Sequence, residues 1–259
     1  MPIEQPGSKP NLEHDIAAKK ENFSPIVFKT VVINEGEEKQ VVDIIIEISD
    51  KKMSLREYLP GGWTFAEGKG MGADSFRGGG GRVVYNPEAL SDWREKFALL
   101  HEIGHAYSFE EKPEIINEEK LFRTQLDYGS ETPQLSPFEG MLLQRENILA
   151  GSVEEYIKIA KNLVRDNPEY QKELFVGFLL LLQEERNASA GALRIYRTLK
   201  QNGVDIFPDI PPDELQTHLH TSGLDSYLQS IRIALQRYGI YLEAFEEFMR
   251  QKRKDNKKD

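Results

Sequence analysis

A small β-sheet followed by a mostly helical body, an α+β chain, is what the sequence predicts, and three observations predict it. β-branched residues concentrate before Pro87, in "PIVFKTVVIN", "QVVDIIIEIS" and "RVVY". From Pro87 onward apolar residues recur at helical spacing nearly to the C-terminus. The breaks in that second part, at Pro113, Gly151, Asn167-Pro168 and Gly239, are those that stop and start helices. The expectation is a small N-terminal antiparallel or mixed sheet within residues 23–86 and helices within 87–250.

At 259 residues and 39% hydrophobic, the chain can bury one good core, or a core plus a small subdomain, so residues 23–250 read as one domain. Residues 1–22 are polar and proline-punctuated and read as a mobile arm, and residues 251–259 as a basic, solvated tail. With 33 Lys and Arg against 43 Asp and Glu, the formal charge of -10 disfavours nucleic acid as a partner. There is no cysteine, which excludes thiol nucleophiles, disulfides and Cys-ligated metals together. Any metal must sit on His, Asp or Glu. The first residues carry no apolar core of a signal peptide, so a cytoplasmic setting is expected. The most apolar run, "LFVGFLLLL" at residues 174–182, is about half the length of a bilayer span and ends in "QEER"; no membrane association is expected.

Taken in order, "PIVFKTVVIN" and "QVVDIIIEIS" flank "EGEEK" and predict an antiparallel hairpin. Ser54 and Glu57 have capping-box spacing and predict a short helix. The glycine-rich stretch from Pro60 lacks the phosphate-loop spacing and reads as a flexible loop near a cleft. "RVVY" reads as one more short strand. Helices are expected near residues 88–109, 114–126, 138–149, 153–166, 169–200, 212–220, 224–237 and 240–252.

The chemistry lies in "FALLHEIGHAY", residues 97–107. At about 100° per residue, His101 and His105 face the same way and Glu102 flanks them. Leu99, Leu100, Ile103, Ala106 and Tyr107 collect on a separate arc that can pack into a core. This is H-E-x-x-H: two neutral imidazoles suited to zinc, with a glutamate placed as general base, Glu102. Gly104 leaves the helix surface uncrowded beside that face.

Zinc in an open catalytic site needs a third protein ligand. The final histidine of the metzincin extension is absent, since Glu111 stands there, and Thr124 occupies the position where a common aminopeptidase pattern requires glutamate. Within "LLLLQEERNASAGALRIYRTL", Phe178, Leu181, Ala188, Ser189, Ala192, Tyr196 and Leu199 fall within about 60° of Glu185 on a helical wheel. A carboxylate inside such a stripe is costly unless a cation or hydrogen bonds compensate it. Glu185 is therefore the leading third ligand, and the small residues after it suit a close approach to the histidine helix. Glu184 reads as lying on the polar side with Asn187 and Arg194. Glu146, Glu111 and His218 remain alternatives.

A strand, then "ALLHEIGHAY", then a later helix with "EERNASAGAL" resembles the zincin metallopeptidases of the gluzincin type. The pattern of Glu185, Arg186, Ala188 and Ala192 is similar to the ligand helix of the ImmA/IrrE-like peptidases. The resemblance implies one zinc ion per chain on His101, His105 and Glu185, Glu102 as base, and a peptide or protein substrate. It also implies that "RVVY", with Val83, Val84 and Tyr85, is the edge strand on which an extended peptide lies. Such families often add a Tyr or His that stabilises the oxyanion; Tyr196, His218 and His220 are candidates here. Peptide deformylases share the motif but require a cysteine ligand. The competing readings are an inactive or regulatory zincin-like module and a metal-free helical interaction protein, the last of which predicts Glu185 far from both histidines.

Overall fold

The fold is known from a computed structural model, which describes residues 26–35, 38–76, 79–112, 121–123, 126, 134–218 and 224–255. The expected arm at residues 1–22 and most of the helix expected at 114–126 lie outside them; residues 121–123 are helical. The class is α+β, a six-stranded mixed sheet followed by helices.

β1 (Val27–Glu35) and β2 (Glu38–Ile48) form the expected antiparallel hairpin, in which Ile44 and Ile46 turn into the core. β3 (Lys51–Ser54) folds back on β2. The short helix after it is only a 3-10 turn, Arg56–Tyr58. Its capping box does not form: Leu55, not Ser54, stands at the N-cap, and Ser54 Oγ accepts from the Arg56 N–H at 3.1 Å.

The glycine-rich segment holds two strands that its composition concealed, β4 (Trp63–Glu67) and β5 (Gly72–Ser75). β6 (Gly81–Tyr85) runs parallel to β4 and antiparallel to β5, giving the order β1-β2-β4-β6-β5. Glycine is needed at the start of β6: a Cβ on Gly81 would lie 2.3 Å from the Asp74 carbonyl oxygen and 2.8 Å from the Trp63 ring. This order corrects the expectation for Val83, Val84 and Tyr85. β6 is an interior strand with a partner on each side, and Val83 and Tyr85 point into the core at 0% exposure. The outermost strand beyond it is β5.

The first helix starts later than its periodicity suggested. Asn86 caps a 3-10 turn, Pro87–Ser91, and Asp92 then caps α1 (Trp93–Glu111) by accepting from the Arg94 N–H at 2.8 Å. α2 (Pro137–Arg145) opens with a complete capping box of Ser136 and Glu139 and ends before Asn147, whose φ is 53°. α3 (Val153–Asp166), α4 (Pro168–Gln201), α5 (Pro212–His218), α6 (Ser226–Gln236) and α7 (Leu242–Asp255) complete the chain. The basic tail is helical as far as Asp255, with Lys252, Arg253 and Lys254 in the last turn where the helix dipole favours cations. Among the described residues no helix is long and apolar enough to cross a membrane.

Two hydrophobic clusters fill the interior. One joins the sheet, α1 and the C-terminal part of α4; the other joins α2, α6, α7 and the N-terminal part of α4. α4 is the element common to both, a rod of 34 residues and roughly 50 Å. Between its Leu182, in the second cluster, and its Ala192, in the first, it crosses α1.

That crossing is a contact of backbones. A Cβ on Gly104 would lie 2.2 Å from the Ala188 carbonyl oxygen, and one on Gly191 would lie 2.9 Å from Gly104 Cα. Gly104 therefore serves the helix packing rather than leaving room beside a metal. Gly104→Ala has no flexible side chain to displace, so it is expected to destabilise the fold by about 1–3 kcal/mol or more. Urea unfolding with an unchanged slope and a lowered midpoint checks this; an unchanged midpoint contradicts the packing.

Candidate metal centre

α1 presents His101, Glu102 and His105 on one side, while Leu99, Leu100, Ile103 and Ala106 are wholly buried on the other. Tyr107, expected with the buried arc, is 36% exposed at its edge. One potential ligand atom from each of His101, Glu102 and His105 lies within 4.8 Å of the others. The two rings meet edge to face with centroids 4.7 Å apart, and His105 stacks on Phe109.

α4 brings Glu185 onto this pair. Its Oε2 lies 3.1 Å from His101 Nε2 and its Oε1 lies 3.4 Å from His105 Nε2. Ligands held tetrahedrally at zinc-nitrogen distances of 2.0–2.1 Å stand roughly 3.3 Å apart. Each imidazole thus stands from a Glu185 oxygen at about the spacing of two ligands on one small divalent cation, and the donor set fits zinc. The metal-free reading expects Glu185 far from both histidines; it lies against both.

The other ring nitrogens are held from α4 as well. His105 Nδ1 lies 3.2 Å from Glu184 Oε1, and Ser189 Oγ lies 3.3 Å from His101 Nδ1. A ring whose Nδ1–H donates to such an acceptor keeps its Nε2 lone pair free for a metal. Glu184 also accepts from Ser108 Oγ at 2.6 Å and is 2% exposed. It is therefore not on a polar surface, as the wheel suggested; α1 covers that side of α4.

The buried charges act strongly on one another. Burial opposes a charged His105, but its contacts with Glu184 and Glu185, and the charge of Glu102, outweigh that and push it up to about 10. Burial would raise Glu185, yet the hydrogen bonds of His101 and His105 hold its carboxyl far below the usual range. Tyr227 is pushed well above an ordinary phenol, first by burial and then by the charge of Glu185. Arg123 closes the site, donating from Nη2 to Glu185 Oε1 at 3.0 Å and from Nη1 to the Tyr227 hydroxyl at 2.8 Å.

Comparison of the chain with protein-family models, with curated proteins and with solved structures finds no match. The site must be interpreted from its own residues.

A cleft of about 950 Å³ opens over these groups. β5 and its flanks, Met71 to Phe76, line one wall, and Phe97, His218 and Tyr227 contribute elsewhere. The segment expected as a loop near a cleft does reach the cleft, but as a strand. Val83, Val84 and Tyr85 are not among the lining residues. Of the alternative ligands, Glu111 is exposed at the end of α1 and Glu146 accepts from the Tyr170 hydroxyl at the end of α2, both away from the lining. Tyr196 donates to Asp205 Oδ1 at 3.0 Å and does not line the cleft. His218 does, edge-on to Trp93 at 4.9 Å. His220 lies outside the described residues.

Sequence reasoning missed Glu184, Arg123 and Tyr227. The only signal for Glu184 was a second carboxylate beside Glu185 after an apolar run; for the other two no local pattern existed.

In the metal-free chain His105 holds its proton up to about pH 10, and a cation on Nε2 must release it. Zinc affinity is therefore expected to rise roughly tenfold per pH unit between about pH 6.5 and 8.5. Competition titrations against a chromophoric chelator read this, and an affinity independent of pH contradicts the assigned protonation.

Proposed function

We propose that this chain is a zinc-dependent metallopeptidase of the zincin kind that hydrolyses bonds in an extended peptide. The observation that carries the proposal is the convergence of His101, His105 and Glu185 at 3.1 and 3.4 Å, with Glu102 close by and not needed to complete the set. A closed structural site has no need of a general base; hydrolysis does.

Bound at these residues, zinc would supply the positive charge that acidifies water and polarises a carbonyl. The chain's own groups do the rest. Glu184 and Ser189 fix the two rings through Nδ1. Glu102 accepts a proton from the attacking water and returns it to the leaving amine nitrogen, so the carboxylate ends as it began. β5, paired only with β6 among the described residues, offers an outer edge for main-chain hydrogen bonds with a peptide. Because Gly72–Ser75 of β5 all line the cleft, while β6 contributes only Arg82, the edge belongs to Gly72–Ser75 rather than to Val83–Tyr85.

The test is hydrolysis of a mixture of unstructured peptides, followed by mass spectrometry, with the zinc-loaded wild type beside Glu102→Gln. The variant is expected to retain zinc and to lose activity by at least about 100-fold. A zinc-loaded wild type that cleaves none of them, or a variant as fast as wild type, defeats the proposal.

A further inference from the structure

Arg123 approaches the centre from outside the α1–α4 pair. The residue before it anchors that approach: Phe122 is 6% exposed, and a Cβ on Gly177 would lie 2.3 Å from its ring. Gly177 precedes Glu185 on α4 by about two helical turns. Phe122 thus grips the same helix that carries the ligand, and the guanidinium next to it reaches along that helix to Glu185. The Tyr227 hydroxyl on α6 takes the other arm of the fork.

Two features mark this contact as more than packing. Arg123 donates to one oxygen of Glu185, Oε1, which also lies 3.4 Å from His105 Nε2, while Oε2 lies 3.1 Å from His101 Nε2. It also completes the local charge. Three carboxylates, Glu102, Glu184 and Glu185, surround two imidazoles, and a divalent cation between neutral rings leaves them one negative charge in excess, which one guanidinium offsets.

We propose that Arg123 is a positioning residue that makes Glu185 a one-oxygen ligand. With Oε1 occupied by the guanidinium, Oε2 alone is offered to the cation, and the coordination position that a chelating carboxylate would fill stays open. An open position is what separates a hydrolytic site from a closed structural one. A planar fork tied at both ends suits this task, and a lysine, a flexible point charge, does not. The inference rests on the metallopeptidase reading.

Cobalt substitution tests it, since the visible absorption of cobalt weakens as its coordination number rises. The purified full chain, as wild type, Arg123→Gln and Arg123→Lys, is titrated with Co2+, and peptide hydrolysis is measured in parallel. Arg123→Gln is expected to bind one cobalt per chain without loss of affinity, with absorbance per cobalt reduced at least about twofold. Its kcat is expected to fall about 10-fold or more with KM unchanged. Arg123→Lys keeps the charge and should share the weakened spectrum. Tyr227→Phe, which removes only the tether, is expected to move the spectrum the same way and carries the test if Arg123→Gln does not fold. Wild-type absorption in all variants overturns the positioning role while leaving the metal site standing. Failure of the wild type to take up cobalt removes the metallopeptidase reading itself, and this inference with it.

Discussion

The candidate site depends on one contact, the passage of α1 across α4 with Gly104 against Ala188 and Gly191. Side chains on two helices at an ordinary interaxial distance of 8–10 Å are separated by their own packing. Here the backbones touch, so short side chains from both helices share one small volume. His101 and His105 on one helix and Glu184, Glu185 and Ser189 on the other are brought within hydrogen-bonding distance as a result. The same contact explains why the residues after Glu185 are small. They are the surface on which α1 rests.

The location of the crossing follows from the length of α4. Its N-terminal part belongs to the helical cluster and its C-terminal part to the cluster under the sheet. The polar centre lies between two apolar bodies, each of which holds one end of the rod in place. This arrangement supports an expensive constellation. Glu184, Glu185 and His105 are 2%, 3% and 4% exposed, and desolvating such ions costs several kcal/mol each unless they are paired. Ser108, Arg123 and the histidines offset part of that cost. A zinc ion, whose binding in structural sites contributes on the order of 10 kcal/mol, would offset more than any of them.

The α+β class was legible because β-branched runs and helical periodicity separate cleanly at Pro87. His101, Glu102 and His105 were legible because spacing on one helix is a local property, and Glu185 because a carboxylate within a buried stripe demands a partner. What escaped was set by tertiary contact. β4 and β5 are short and lie in a glycine-rich stretch, and glycine weakens any strand signal. Glu184 looked solvent-facing because a wheel of one helix cannot show that a second helix covers it. From sequence β6 reads as the edge because the strand that pairs beyond it, β5, lies hidden in the same glycine-rich stretch.

The proposed chemistry requires that three side chains from two crossing helices, His101, His105 and Glu185, bind one metal ion. Metal analysis by mass spectrometry, on protein purified without added metal and again after zinc addition and desalting, tests it most directly. Wild type is compared with His101→Ala and Glu185→Ala, circular dichroism confirming that each is folded. About one zinc per chain in the wild type, and none in either folded variant, is the result predicted. A wild type that holds no zinc even after addition, or a folded Glu185→Ala that keeps its zinc, would contradict it.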